Sequence, residues 1–258
     1  MKNFLRITAA FLLTLTLLAG CSKAQPELIT NTEPLGSNTE PTTNSTTDVS
    51  LPETEGDTSS YYIDVVYAQQ IKRYDTAISQ QWDMEAYWEH EMSPMVVYYY
   101  DGTPLDNVGF TCMDLDGDGI LELLIGAILG SERDPLVFEI WTVRNDEPVM
   151  LAQSGSHNRY YLQYAEEDDL WSVAYEAENG AANRAVYYLQ LSEGEFQVIQ
   201  GIVFDAFVNE TEPWFMAYDL DWDVSNDTPI NEDTANTVLK AGRNIYSVQE
   251  YFPYSLYK

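Results

Sequence analysis

The stretch from Phe110 to Gly126 constrains the fold more than any other part of this chain. It reads Phe-Thr-Cys-Met-Asp-Leu-Asp-Gly-Asp-Gly-Ile-Leu-Glu-Leu-Leu-Ile-Gly, so an apolar run enters an acidic loop and another apolar run leaves it. Apolar runs on both sides of a glycine-containing bend are typical of two strands joined by a tight loop. The stretch therefore predicts strand, loop and strand, with several carboxylates crowded into the loop.

These carboxylates favour a bound cation. Three aspartates alternate, and a glutamate follows four residues later: Asp114, Asp116, Asp118 and Glu122. Gly117 and Gly119 tolerate the positive φ that curls a short loop inward, so the acids can converge. Two carboxylates about 4 Å apart repel by roughly 4 kcal/mol at an effective dielectric near 20, and a hard cation turns that repulsion into coordination. Oxygen ligands on a flexible loop favour calcium over magnesium, and no His or Cys stands at zinc-ligand spacing.

The spacing resembles the first half of an EF-hand loop, but the EF-hand's twelfth position, a bidentate glutamate, is Ile125 in this chain. The acid comes at the ninth position instead, which resembles the calcium loop of FG-GAP and VCBS-type repeats, where a strand follows at once. The resemblance is confined to Phe110–Gly126, in one clear copy, and implies a metal site rather than a propeller. It implies side-chain ligands and one backbone carbonyl, that of Ile120: Asp114, Asp116, Asp118, Ile120 and Glu122. The alternative is a solvated acidic turn without an ion.

A second acidic stretch repeats the alternation in the same register: Asp219, Asp221, Asp223 and Asp227. Val224 stands where the first loop has its second glycine, so the inward curl is harder to make. We interpret this stretch as an acidic loop and leave a second ion site open.

The N-terminus predicts export. Lys2 and Arg6 precede an apolar stretch, Ile7–Leu18, which is too short to span a bilayer. Leu18-Ala19-Gly20-Cys21 resembles the lipobox of a bacterial lipoprotein signal peptide. The resemblance implies removal of residues 1–20, lipidation of Cys21 and anchoring to the outer face of a bacterial membrane. Residues 21–60 are rich in Thr, Asn, Ser, Glu and Pro, and this composition predicts a disordered tether.

Residues 61–258 are predicted to form one α+β domain, with an N-terminal amphipathic helix packed on an antiparallel β-meander and a short C-terminal helix. The first helix carries a stripe at spacings of three and four: Ile63, Tyr67, Ile71, Tyr74, Ile78 and Trp82. Turn signals separate five β-rich runs: Val137–Val143, Arg159–Tyr164, Leu170–Tyr175, Ala185–Leu191 and Phe196–Phe204. Asn231 is the expected N-cap of the last helix and Gly242 its expected end. The tail from Tyr251 is expected to pack back on the sheet.

No catalytic motif stands out, and the chain has two histidines, His90 and His157. The formal net charge of −30 argues against nucleic acid as a partner, since that partner rewards clustered Lys and Arg. We therefore expect a non-enzymatic surface lipoprotein in which Ca²⁺ is mainly structural. Two alternatives remain: an envelope glycan-binding module that uses some of the 19 tyrosines and 6 tryptophans, and a hydrolase with unidentified carboxylates. A protein partner is also open.

Overall fold

The predicted strand–loop–strand unit forms the first two strands of a large antiparallel sheet. This computed structural model describes residues 55–128, 135–166 and 169–258. The predicted signal peptide, the predicted lipidation site Cys21 and the predicted tether as far as residue 54 lie outside the described residues. The last residues of the predicted tether belong to a helix that begins at Glu55, so ordered structure starts earlier than residue 61.

The sheet has eleven strands in the described part of the chain. In chain order they are β1 (Val108–Met113), β2 (Glu122–Ala127), β3 (Leu136–Arg144), β4 (Glu147–Gln153), β5 (Asn158–Ala165), β6 (Leu170–Glu178), β7 (Asn183–Ser192), β8 (Glu195–Asp205), β9 (Trp214–Ala217), β10 (Thr228–Pro229) and β11 (Phe252–Pro253). Neighbouring strands follow the order β10-β9-β8-β7-β6-β5-β3-β2-β1-β11, and β4 pairs with β3. A mostly antiparallel sheet with a few short helices is therefore confirmed.

The five predicted β-rich runs lie within β3, β5, β6, β7 and β8. The turns that follow β3 and β7 suit two-residue hairpins, because both of their central residues have positive φ: Asn145 and Asp146 in one turn, Glu193 and Gly194 in the other. Strand β4 was not predicted. It contains Pro148 and lies off the main path of the sheet, where a missing backbone N–H is tolerated.

The N-terminal helical stretch is divided into three segments. Helix α1 (Glu55–Tyr61) continues as a π-helical turn (Tyr62–Val66), and helix α2 (Ala68–Ser79) follows. Tyr67 separates the last two because it leaves helical geometry, with φ −103° and ψ 9°. Its ring is fully buried, so the break delivers a large side chain into the core.

Short helices complete the layer over the first strands. They are α3 (Met84–Glu89), a 3₁₀ helix (Pro94–Tyr99), α4 (Pro104–Asn107) and a second 3₁₀ helix (Tyr254–Leu256). Asp83 caps α3 by accepting a hydrogen bond from the backbone N–H of Ala86. Among the described residues, no helix combines the length and apolar character needed to cross a membrane.

Two core clusters lie on opposite faces of the first strands. In β2, Leu123 and Ile125 belong to the cluster under the N-terminal helices, while Leu124 belongs to the other. This alternation follows from the two-residue period of a strand. The second cluster consists mainly of sheet side chains and also takes Leu115 and Val224, one residue from each acidic loop.

Helix α5 (Glu232–Arg243) begins as predicted, since Asn231 accepts a hydrogen bond from the backbone of Thr234. The prediction that Gly242 ends this helix is wrong, because the helix continues to Arg243 and Asn244 is its C-cap. Gly242 is buried, and a Cβ at this position would overlap the ring of Tyr188. The glycine is therefore explained by close packing rather than by a left-handed cap.

Candidate metal centre

The acidic loop closes the β1–β2 hairpin. The last pair of the ladder joins Met113 to Glu122, which leaves residues 114–121 as the connection. Gly117 and Gly119 have φ of +79° and +86°, the left-handed region that the inward curl requires. Both glycines have open space around a potential Cβ, so the backbone conformation explains them rather than packing.

Three carboxylates converge at this loop. Asp114, Asp116 and Glu122 each place one oxygen within 4.8 Å of the others. Asp114 and Asp116 are half-buried and Glu122 is 1% exposed, so the group lies at the boundary between solvent and core. The donor set consists of oxygen atoms, which suits a hard cation such as Ca²⁺ or Mg²⁺.

Backbone N–H groups hold the loop in this conformation. Both carboxylate oxygens of Asp114 accept hydrogen bonds, from Gly117 N at 2.7 Å and Gly119 N at 3.0 Å. Asp116 Oδ1 accepts from the backbone N–H two residues further on, at 3.3 Å. These local hydrogen bonds orient the carboxylates without the help of a bound ligand.

Glu122 lies at the base of the loop and connects it to the sheet. Its Oε2 accepts a hydrogen bond from Leu115 N at 3.0 Å, and its Oε1 accepts one from Thr142 Oγ1 at 2.8 Å. Burial raises the pKa of Glu122 to about 7, with a smaller contribution from the charges of Asp116 and Asp118, although its two hydrogen bonds act in the opposite direction. A carboxylate in this environment gains from a nearby cation.

Asp116 shows the same electrostatic stress. Its pKa is raised first by partial burial and then by the negative charges of Asp118 and Asp114. The basic residues of the described chain do not form an ion pair with any of these acids. Carboxylates that are close together, partly desolvated and without a basic partner fit a divalent cation in both charge and donor type.

One of the predicted ligands, Asp118, lies outside this group of three. Asp118 is exposed and is not part of the group of three, and its Oδ1 accepts a hydrogen bond from Ile120 N at 2.7 Å. Ile120 is half-buried against the core cluster under the N-terminal helices. The structure therefore brings together Asp114, Asp116 and Glu122 and leaves Asp118 at the solvent side of the loop.

Two supporting residues were missed by the sequence analysis. Tyr67 donates a hydrogen bond from its hydroxyl to the Leu121 carbonyl at 2.9 Å, so the N-terminal helical layer holds the exit of the loop. Thr142 fixes Glu122 from β3. The predicted core stripe contains Tyr67, but local sequence does not indicate which backbone oxygen its hydroxyl reaches.

The second acidic loop has a similar backbone pattern without the same convergence. Asp221 N and Asp223 N donate to the aspartate two residues earlier, as in the first loop. Trp222 takes the position of the first glycine and has φ +62°, a costly conformation for a bulky residue. Burial and the neighbouring aspartates raise the pKa of Asp227 to about 6. Within the described residues, these four acids do not bring three carboxylate oxygens within 4.8 Å of one another.

Comparison with the models of known protein families, with curated proteins and with solved structures finds no match to this chain.

Proposed function

We propose that this protein is a calcium-binding surface lipoprotein in which the ion is mainly structural and the domain has a non-enzymatic binding or structural role. The observation that carries the proposal is the meeting of Asp114, Asp116 and Glu122 within 4.8 Å. Asp118 and the carbonyl of Ile120 complete the proposed ligand set. Calcium is preferred over magnesium because a flexible loop with many oxygen donors adapts to its larger coordination number.

The proposed structural role follows from where the loop is attached. Its two ends continue into β1 and β2, and Glu122 is bonded to both Leu115 and Thr142. A cation that neutralises the three carboxylates therefore stabilises a hairpin that contributes to both core clusters. We propose in addition the finer architecture of an amphipathic N-terminal helix packed on a β-meander with a short C-terminal helix.

The proposed location rests on the N-terminal sequence pattern. Residues 1–20 would be removed as a signal peptide, Cys21 would carry the lipid, and the tether would hold the domain away from the membrane. Extracellular modules typically bind calcium with Kd of about 10⁻⁴–10⁻³ M, so a site of ordinary strength would be filled outside the cell.

The first prediction tests the ion. Adding 5 mM CaCl₂ to the metal-depleted protein should raise Tm, because a ligand that binds only the folded state stabilises it. With Kd of about 10⁻⁴ M, the gain is roughly 2 kcal/mol, or about 4–8 °C for a domain of this size. Asp116→Ala should abolish that gain. Differential scanning calorimetry with and without CaCl₂ measures both.

The matched control is Glu210→Ala, which removes one exposed carboxylate outside the loop and leaves the calcium response unchanged. Parallel scans with MgCl₂ separate calcium from a general divalent effect. A wild-type Tm that does not change between chelator and 5 mM CaCl₂ would overturn the proposal.

A further inference from the structure

A cleft lies between helix α5 and the strands β5, β6 and β7, and β3 separates these strands from the acidic hairpin in the sheet order. Its volume is about 710 Å³, which is within the range of sites that hold small organic ligands. The N-terminal part of α5 packs on the sheet through Ala235, which belongs to a small core cluster with Ile202 and Trp214. Its C-terminal end is attached to β5, where Gln163 Nε2 donates to the Gly242 carbonyl at 2.7 Å.

The charge of the cleft is opposite to that of the molecule. The described part of the chain contains eight Lys and Arg residues, and four of them line this cleft: Arg159, Arg184, Lys240 and Arg243. Two carboxylates, Glu176 and Glu178, line it as well. In a protein with 42 acidic residues and 12 basic ones, such a concentration of positive charge makes the cleft a local attractor for anions.

The two carboxylates offset half of the formal charge of the four basic residues and leave the cleft with a net positive charge. Arg243 pairs with Glu176 at 3.3 Å, and Tyr246 donates to the same carboxylate at 2.8 Å. Among the described residues, Arg159 and Lys240 form no ion pair. Arg184 lies over the rings of Phe204 and Trp214, at 5.1 and 5.5 Å from their centroids, and so has its orientation fixed by stacking.

The remaining walls indicate which kind of anion fits. Asn236 and Asn244 bring amide groups that donate and accept hydrogen bonds, which suits hydroxyl groups. Trp214, Leu239 and Val186 provide apolar surface between the charged groups. Cations, amides and an aromatic side chain together match a ligand with an oxyanion, several hydroxyls and an apolar ring face.

We propose that this cleft binds an anionic saccharide, meaning a sugar that carries a carboxylate or a phosphate group. Arg159 and Lys240 bind the oxyanion from opposite walls, one on β5 and one on α5. Arg184 extends the positive charge along β7, and the two asparagines bind ring hydroxyls. The site is independent of the calcium loop, so it stands whether or not the loop binds an ion.

The test is calorimetric titration of the full protein with four probes: D-glucuronate, D-galacturonate, D-glucose 6-phosphate and neutral D-glucose. Inorganic phosphate is titrated separately. We expect at least one anionic sugar to bind at least tenfold more tightly than D-glucose and than inorganic phosphate. The two uronates and the sugar phosphate distinguish a carboxylate from a phosphate as the recognised group.

Two variants locate the site. Arg159→Gln and Lys240→Gln each should weaken binding by at least tenfold, because a hydrogen bond to a charged group is lost. In the described part of the chain neither side chain forms an ion pair whose loss would disturb folding, and circular dichroism checks that both variants fold. Lys72→Gln removes the same charge from an exposed site on α2 and should leave affinity unchanged.

Three results would each overturn the proposal. The first is that none of the anionic sugars binds. The second is that inorganic phosphate binds as tightly as the best sugar, which would remove the saccharide from the assignment. The third is that Lys72→Gln weakens binding as much as the two cleft variants.

Discussion

At the scale of single residues, Glu122 carries the largest electrostatic cost of the acidic loop. It is almost completely buried, and its two hydrogen bonds, from Leu115 and Thr142, do not compensate for desolvation. Burial is the main cause of its raised pKa, and the neighbouring aspartates add to it. The side chain is therefore protonated in the calcium-free protein over a pH range in which an exposed glutamate is ionised.

This shift predicts a pH dependence of stability. The folded pKa of Glu122 is about 7 and its ordinary value is 4.5, so folding favours the protonated form. Its stabilising contribution is complete below pH 4.5 and is lost as pH rises through 7. At 1.36 kcal/mol per unit, the loss is on the order of 3 kcal/mol. Urea unfolding of the metal-depleted protein at several pH values between 4.5 and 8 measures it.

Glu122→Gln provides the comparison, because glutamine has nearly the same shape and does not titrate. The variant should lose less stability than the wild type over this pH range, while the contributions of all other acids remain in both proteins. Identical pH profiles for the two proteins would contradict the prediction. Added calcium should reduce the wild-type loss, since the cation favours the ionised form.

At the scale of elements, the β1–β2 hairpin is held on its outer side by the C-terminal tail. Gly109 and Gly126 are paired across the two strands, and Tyr251 packs over both. A Cβ on Gly126 would overlap the Tyr251 ring, and a Cβ on Gly109 would lie 2.6 Å from the Phe252 carbonyl oxygen. The two glycines thus form the surface on which the tail packs and on which β11 pairs with β1.

Gly126→Ala should lower the free energy of unfolding by about 1–3 kcal/mol, because overpacking forces the tail or the strand to move. A double-mutant cycle with Tyr251→Ala isolates the cause. Once the ring is removed, the cost of Gly126→Ala should fall below about 0.5 kcal/mol. Urea denaturation of the four proteins measures the cycle. An equal cost in both backgrounds would show that the glycine is needed for its backbone rather than for the tail.

At the scale of the whole molecule, the net charge of −30 opposes folding, and both the candidate metal centre and the basic cleft lie within this negative field. Self-repulsion opposes the compact state, and salt weakens it because the Debye length falls from about 30 Å at 0.01 M to about 3 Å at 1 M. In the described chain the acids occur at many sites, whereas half of the Lys and Arg residues line one cleft.

The metal-depleted protein should therefore become more stable as NaCl rises from 0.02 to 0.5 M at pH 7.5. A gain of about 1 kcal/mol would raise Tm by roughly 2–4 °C. The control is the same pair of scans near pH 4.1, the isoelectric point, where net repulsion vanishes and the gain should disappear. An equal gain at both pH values would mean that salt acts by a route other than charge screening.

Local patterns were enough to predict most of the sheet. The runs in β3, β5, β6, β7 and β8 were readable because β-branched and aromatic residues are bounded by turn residues whose φ is positive. β4 was not predicted because Pro148 interrupts the pattern that indicates a strand. Gly242 was misread because a glycine near a helix end is usually a cap, whereas in this chain it makes room for Tyr188.

The candidate metal centre likewise combines features that follow from local sequence with features that only the fold creates. The spacing of Asp114, Asp116 and Glu122, with glycines between them, is a local property, and the fold brings these three together. The burial of Glu122 and its bond to Thr142 depend on a strand twenty residues further on. No local pattern encodes the depth at which a side chain is buried, so the raised pKa of Glu122 was not predictable from the sequence.

The sequence by itself determined where strands and turns lie and which acids share one bend, because periodicity, φ preference and charge spacing act over a few residues. The tertiary structure alone decided that Arg159, Arg184, Lys240 and Arg243 line a single cleft, since these residues come from three separate elements. It also decided that Tyr67 holds the exit of the acidic loop and that Tyr251 covers two glycines. Contacts of this kind join residues that are distant in the sequence. They therefore depend on the packing of the whole chain, which no local pattern specifies.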